Sequence, residues 1–452
     1  MSERHPDPET LARYLRGELP LEEGQEVERH LSGCVACQGA AAGLTGEGRD
    51  GIVKWRGHLF GYEAAFDRAA RQASERLSRL FEEVDGAASL AEELLAAPEH
   101  QRRQLIRSEP RFQALKLCEL LEDRSREAWF HDPTRAVELA RLAVAIAIRL
   151  NPEHYGSRIV EDARAHAWAY LGNAYRIASD LRRAEEALRT AREHHRRGDE
   201  DAFTEAQILS FTASLRNSQG RFEEAAALLD RAIAIYRAGK DRHQEGKNLI
   251  LKGMTFGYDG RFKEAVRLIR RGLSRIDSVE EPWLLVSARH NLIWYLNESG
   301  SHQEALETLE RTRRLYLELG RPTHLIRLRW VEGKIAGDLG RFADAEAALR
   351  EARDAFVLRE IGFDAALVSL DLAALYARQD RSEEVKRLAA EMVPIFESRD
   401  VHQEALAALL LFKEAAEAER VTLSLLDQIV AYLKRARLDP ELRFRDPASP
   451  PA

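Results

Sequence analysis

A six-residue block returns along this chain at a fixed interval: Gly220-Arg-Phe-Glu-Glu-Ala225, Gly260-Arg-Phe-Lys-Glu-Ala265, Gly300-Ser-His-Gln-Glu-Ala305 and Gly340-Arg-Phe-Ala-Asp-Ala345, 40 residues apart each time. Degenerate copies stand at Asp380-Arg-Ser-Glu-Glu-Val385 and, after one extra residue, at Ser179-Asp-Leu-Arg-Arg-Ala184. A repeat of this length is one small supersecondary unit that buries its apolar face only by stacking on its neighbours, so the expected architecture is a solenoid. Twelve places before the marked alanine lies a small or apolar residue: Gly172, Ala213, Gly253, Ile293, Gly333 and Ala373. Leu188, Leu229, Ile269, Leu309 and Leu349 follow that alanine by four, and Ala191, Ala232, Gly272 and Ala352 by seven. These spacings predict two helices per unit, with close approach on the first and a packed stripe on the second. The glycine between them suits a left-handed turn.

Composition supports helices over sheets. Of 452 residues, 45% are apolar and 32% charged, but only 7% are aromatic, and Ala, Leu, Glu and Arg dominate. The unit looks like the tetratricopeptide repeat, usually about 34 residues long, in a variant with helices longer by about a turn. The resemblance spans at least 165–437, with Arg111–Asp132 and Thr134–Leu150 forming an irregular pair ahead of it and Cys118 as a buried packing residue. It implies a superhelix, taken here as 106–440, whose first helices line a concave ligand groove. The inner positions of two adjacent units would then be His290, Trp294 and Asn297, followed by Trp330 and Lys334. Two tryptophans among polar donors suit an extended peptide or a partner helix, and equally suit packing between helices. Asn173 and Arg176, in an earlier unit, are a weaker candidate.

The first 45 residues are of another kind. Leu11, Leu15, Leu19, Leu21, Val27 and Leu31 are too few to make a core for an independent fold. His5, His30, Cys34 and Cys37 are the donor types that zinc takes four at a time in a tetrahedron. Pro20 and the pair Glu22–Glu23 suit the first turn of a helix running to His30 or Leu31 and ended by Gly33. The helix end brings His30 and Cys34 to one side, and a further helix over Val35–Leu44 would carry Cys37. An oxidant could also join Cys34 and Cys37 as a disulfide.

The run His30-x3-Cys34-x2-Cys37, with His5 upstream and Tyr14-Leu15 and Gly17-Glu-Leu19-Pro20 between, resembles the zinc-binding anti-sigma factor domain of bacteria. In that family a short helical module grips an RNA polymerase sigma factor. The resemblance implies one structural Zn2+, held by His30, Cys34 and Cys37 directly and by His5 by position, with His58 in reserve. Gly43–Gly51 reads as a flexible hinge, with the linker placed at 46–54. A connector at 55–105 includes an amphipathic helix, Tyr62–Val84, suited either to a sigma factor or to the open end of the array.

Several function classes are disfavoured. Basic residues number 68 against 75 acidic, interspersed, so a net charge of −7 predicts no nucleic-acid surface. The longest apolar runs fall short of the roughly 20 residues of a membrane helix, and the acidic, Pro-containing start is no signal peptide. A cytoplasmic location is expected. No phosphate loop, nucleophile elbow, kinase signature or His-Glu-x-x-His helix is present, and His194–His195 is expected to be exposed. The expectation is therefore an all-α, non-enzymatic regulator: a zinc module for a sigma factor, an array for a protein or peptide, and a disordered tail at 441–452. A scaffold with a purely structural zinc module is the alternative.

Overall fold

The computed structural model describes residues 5–15, 18–44, 83–129, 131–277, 281–319, 322–396, 403–418 and 421–436, and among them there are helices and no strands. They fall into two compact units, Met1–Glu82 and Glu83–Ala452.

In the first unit, α1 spans Pro8–Leu15, α2 Leu21–Gly33 and α3 Val35–Leu44. The Asp7 carboxylate caps α1 by accepting from the Thr10 N–H at 2.8 Å and the Thr10 hydroxyl at 2.9 Å, and these bonds hold its pKa below the usual range. Pro20 stands at the N-cap of α2, which continues two or three residues beyond the expected end. Cys34 is extended, with φ −112°, and its N–H bonds to the His30 carbonyl at 3.0 Å. This break turns the chain into α3, and Gln38 ties the two helices by donating to the Leu31 carbonyl at 2.7 Å. Within this unit, Leu11, Val27 and Cys37 are the buried apolar residues among the side chains described, a small apolar area for three short helices.

The second unit begins with α4, described over 83–96, followed by α5 (Glu99–Ser108), α6 (Leu115–Ala128), α7 (Pro133–Ala147) and the single turn α8 (Pro152–Tyr155). Glu93 of α4 pairs with Arg111 at 2.5 Å, and Arg102 of α5 pairs with Glu138 of α7. Residues 83–105, part of the expected connector, thus pack onto the array. The rest of Tyr62–Val84, His58, the hinge beyond Leu44 and the tail lie outside the described residues.

Seven hairpins follow: α9/α10 (Ser157–Ile177, Leu181–His195), α11/α12 (Ala202–Ser218, Phe222–Ala238), α13/α14 (Arg242–Tyr258, Phe262–Leu273), α15/α16 (Pro282–Glu298, His302–Leu319), α17/α18 (Pro322–Asp338, Phe342–Leu358), α19/α20 (Gly362–Ala377, Ser382–Phe396) and α21/α22 (Gln403–Glu417, Leu423–Ala436). The marked alanines 184, 225, 265, 305 and 345 are fully buried, as is the leucine or isoleucine four places on. Gly220, Gly260, Gly300 and Gly340 all have positive φ, from 71° to 85°, and so do Ser179 and Asp380 at the degenerate copies. The turn conformation therefore persists where glycine is lost. A second column, Glu200, Lys240 and Glu360, takes the same conformation at turns between units. Asp132, Asp180, Asp201 and Asp241 cap their helices by accepting from the N–H three residues on. Cys118 is buried as expected, but His194 and His195 are not exposed: His195 is buried, and His194 Nδ1 lies 2.7 Å from Glu161.

The final helix departs from the repeat. α22 packs against α19 as well as α21, and its Lys434 ammonium reaches the Trp294 ring of α15 at 5.2 Å. It lies on the side of the first helices, where an inner groove would otherwise continue.

Candidate metal centre and inner groove

The helix break at Cys34 brings four donors together. The ligand atoms of His5, His30, Cys34 and Cys37 all lie within 4.8 Å of one another. His5 Nδ1 is 3.1 Å from His30 Nε2, 3.2 Å from Cys37 Sγ and 3.4 Å from Cys34 Sγ. One imidazole nitrogen offers one hydrogen-bonding site, so three such neighbours are not a set of hydrogen bonds. They come within about 0.4 Å of the edges of a coordination tetrahedron instead. Zinc bonds of about 2.0–2.1 Å to nitrogen and about 2.3 Å to sulfur give edges of about 3.3–3.6 Å. Burial first, and the neighbouring Cys34 second, raise the pKa of the Cys37 thiol. A bound cation is what would hold both sulfurs as thiolates. With two imidazoles and two thiolates these residues could hold one metal ion and leave no protein-free position in a four-coordinate shell.

The five residues expected to line the groove are brought together, and their polar groups are taken up by neighbouring side chains of the array. Trp330 is buried, and its Nε1 donates to Asp371 at 2.6 Å. Trp294 meets Trp330 edge to face at 5.2 Å and carries Lys334 and Lys434 at 5.1 and 5.2 Å from its ring centre. Burial disfavours the charge on Lys334, but Asp371 at 3.1 Å and Glu298 at 3.3 Å outweigh it and hold its pKa above the usual lysine range. Asn297 is buried, donates to Asp338 at 2.7 Å and pairs with His302 at 2.9 Å. His290 Nδ1 lies 2.9 Å from the Tyr316 hydroxyl, and burial lowers its pKa to about 4, with Arg327 and His324 adding to the effect.

The open part of the inner wall lies earlier in the chain. A cavity of about 640 Å3 is lined by α6, α9, α11 and α13, with Leu284 of α15 at its far end. Its size falls among ligand pockets, which run from about 300 to 1,000 Å3. Asn173, Ser214 and Met254 hold the repeat position that Trp294 and Lys334 hold later; Arg176 and Asn217 hold that of Asn297. The Asn173/Arg176 pair, ranked second in sequence, therefore faces the cavity, while the first-ranked tryptophans are covered by α22. Trp129, Tyr170 and Phe211, three more lining residues, form a mutual cluster with centroids 5.6–5.9 Å apart. Sequence reading missed this cluster because Trp129 lies outside the regular repeats. The available signal was the row of smaller residues at the inner position, read against the bulkier Trp294.

Comparison with known proteins bears on both units. Residues 9–38 match a family described as "Putative zinc-finger", and residues 204–277 match the tetratricopeptide repeat. The zinc-finger match takes in His30, Cys34 and Cys37 but begins after His5, which the three-dimensional arrangement groups with them. The chain thus carries a zinc-finger module followed by tetratricopeptide repeats. It is similar in fold to a Rap protein complexed with Competence and Sporulation Factor, with a TM-score of 0.52 and 12% identity over 72% of this chain and 88% of the other. It is similar also to aspartyl phosphate phosphatase F from Bacillus subtilis, with a TM-score of 0.50 and 13% identity over 89% of this chain and 97% of the other. At such identities the likeness concerns the fold alone. No curated protein matches the sequence.

Proposed function

We propose that this protein is a non-enzymatic, cytoplasmic regulator in which one structural zinc ion, held by His5, His30, Cys34 and Cys37, stiffens an N-terminal module that binds an RNA polymerase sigma factor. The tetratricopeptide array binds a second protein or a peptide and conditions that interaction. The modular boundaries are those of the sequence reading: a module over 1–45, a linker at 46–54, a connector at 55–105 and the array from 106 to 440.

One observation carries this reading: the convergence of four zinc-type donors on a three-helix segment with few buried apolar residues among its described side chains. The metal would supply folding free energy that packing cannot. Two imidazoles and two thiolates fill a tetrahedral shell, leaving no place for an activated water, so the site supports a structural rather than a hydrolytic role. Among the described residues, no helix is long and apolar enough to cross a membrane. The array's fold is of the kind that binds proteins and peptides along an inner surface.

Co-purification tests the reading. Tagged full-length protein should retrieve a sigma subunit from a bacterial lysate, and Cys34→Ser with Cys37→Ser should abolish retrieval while the array remains folded. Retrieval of other proteins that is indifferent to both cysteines would instead favour a scaffold with a purely structural zinc module.

A further inference from the structure

The cavity on α6, α9, α11 and α13 contains a cation without a counter-ion. Arg176 is partly buried on α9, and its Nε donates to Asn173 Oδ1 at 2.9 Å. Among the described residues no carboxylate is paired with its guanidinium. Burial alone pulls its pKa down to about 10, with the Tyr258 hydroxyl the only opposing influence. The other cations on the wall are already matched: Arg126 with Asp123 at 3.0 Å and Lys247 with Glu281 at 2.6 Å. The wall's aspartates serve as helix caps, Asp201 for Thr204 and Asp241 for Gln244. A desolvated guanidinium without a carboxylate is costly in a folded protein unless an anion is brought to it.

A second group in the same wall is also unsatisfied. Asn217 is 6% exposed; its Nδ2 donates to the Thr255 hydroxyl at 2.9 Å, but its Oδ1 has no donor. Thr255 donates onward to the Leu251 carbonyl at 3.0 Å, which fixes the orientation of the amide. A buried amide oxygen without a donor costs about 1–3 kcal/mol. Arg176 and Asn217 occupy equivalent places on successive first helices, but the Asn217 oxygen is enclosed within the wall, so the Arg176 guanidinium is the group on offer to a ligand. An acidic peptide supplies what the guanidinium lacks, a carboxylate.

We propose that this cavity binds an extended peptide bearing an acidic side chain, whose carboxylate Arg176 takes. The cavity continues on both sides of Arg176, to Trp129 of α6 in one direction and to Met254 and Leu284 in the other. The anchored carboxylate therefore belongs to a residue within the peptide, with apolar neighbours to meet Trp129, Tyr170 and Phe211. This deepens the array half of the proposed function and rests on it.

The test is affinity selection with the full chain and three pools of acetylated pentapeptides randomised among apolar residues: a central Glu with an amidated end, a central Gln with an amidated end, and a central Gln with a free C-terminal carboxylate. The expected result is enrichment of the Glu pool over the amidated Gln pool by about tenfold or more, the scale of one charge-assisted hydrogen-bond pair. Arg176→Gln should erase that preference and Arg176→Lys should keep part of it, each variant remaining folded by circular dichroism. Equal retention of Glu and Gln peptides, or a preference that survives Arg176→Gln, overturns the carboxylate assignment while leaving the array a peptide binder. Selective retention of the free-carboxylate pool overturns the side-chain assignment. Retention of no pool overturns the inference as a whole, and the zinc-dependent capture of a sigma subunit is read separately.

Discussion

At the scale of single residues, the turn glycines and one buried acid give the sharpest expectations. A Cβ placed on Gly220 or Gly260 meets nothing within 4 Å, so the φ of 71° or 79° is the whole reason for glycine there. Gly220→Ala should cost about 1–2 kcal/mol, the penalty of the left-handed region, measured by chemical denaturation. Gly253→Ala should cost more, because its Cβ would lie 2.6 Å from Ile269. The first column was legible in sequence because glycine marks it; Glu200, Lys240 and Glu360 were not, since nothing in a charged residue announces positive φ. Glu122 was equally unreadable. It is 5% exposed, and burial raises its pKa to about 8, with the Cys118 thiol, at 3.5 Å, opposing that rise. A carboxyl with folded pKa above its unfolded value contributes stability fully below about pH 4.5 and loses it as pH rises through about 8. Glu122→Gln should therefore become progressively more stable than the wild type between those limits, by on the order of a few kcal/mol. A pH-independent difference would contradict the assignment.

Among the elements, α22 and the opening three helices each test a different kind of support. The hairpin periodicity gave α9 to α20 their length and partners, since each turn and stripe recurs. It could not give the placement of α22. The apolar side of α19 is covered by α22, which packs on it as well as on α21. Leu426, Ile429, Tyr432 and Leu433 are buried there with Trp330. Ending the chain after residue 421 should speed amide hydrogen exchange in α15, α17 and α19 while leaving α9 to α12 protected. Uniform loss of protection would show that the array unfolds as one body. In the opening unit His5 precedes α1, so His5→Ala should leave three ligands and weaken zinc binding at least tenfold in a competition titration with a chelator. An unchanged affinity would mean that His5 is a neighbour and not a ligand.

For the molecule as a whole, the two units are supported by different physics. The array is held by repetition: alanine columns that let helices approach, leucine columns that fill the space, and ion pairs at its surface worth little singly. Its existence could be read from a period, but the position of its open cavity could not, because that depends on which stretch of inner wall the last helix covers. The opening unit is the reverse case. Its candidate ligands could be read from residue type and spacing, while few of its described residues are buried and apolar, so on the proposed reading its fold depends on the ion. The most direct test is therefore metal content and its structural effect, measured on the purified full-length chain by inductively coupled plasma mass spectrometry and by hydrogen exchange over residues 5–44. The expected result is one zinc per chain, with protection of α1 to α3 that vanishes on chelation and returns with added zinc. A chain without stoichiometric zinc, or α1 to α3 still protected in excess chelator, would contradict the account.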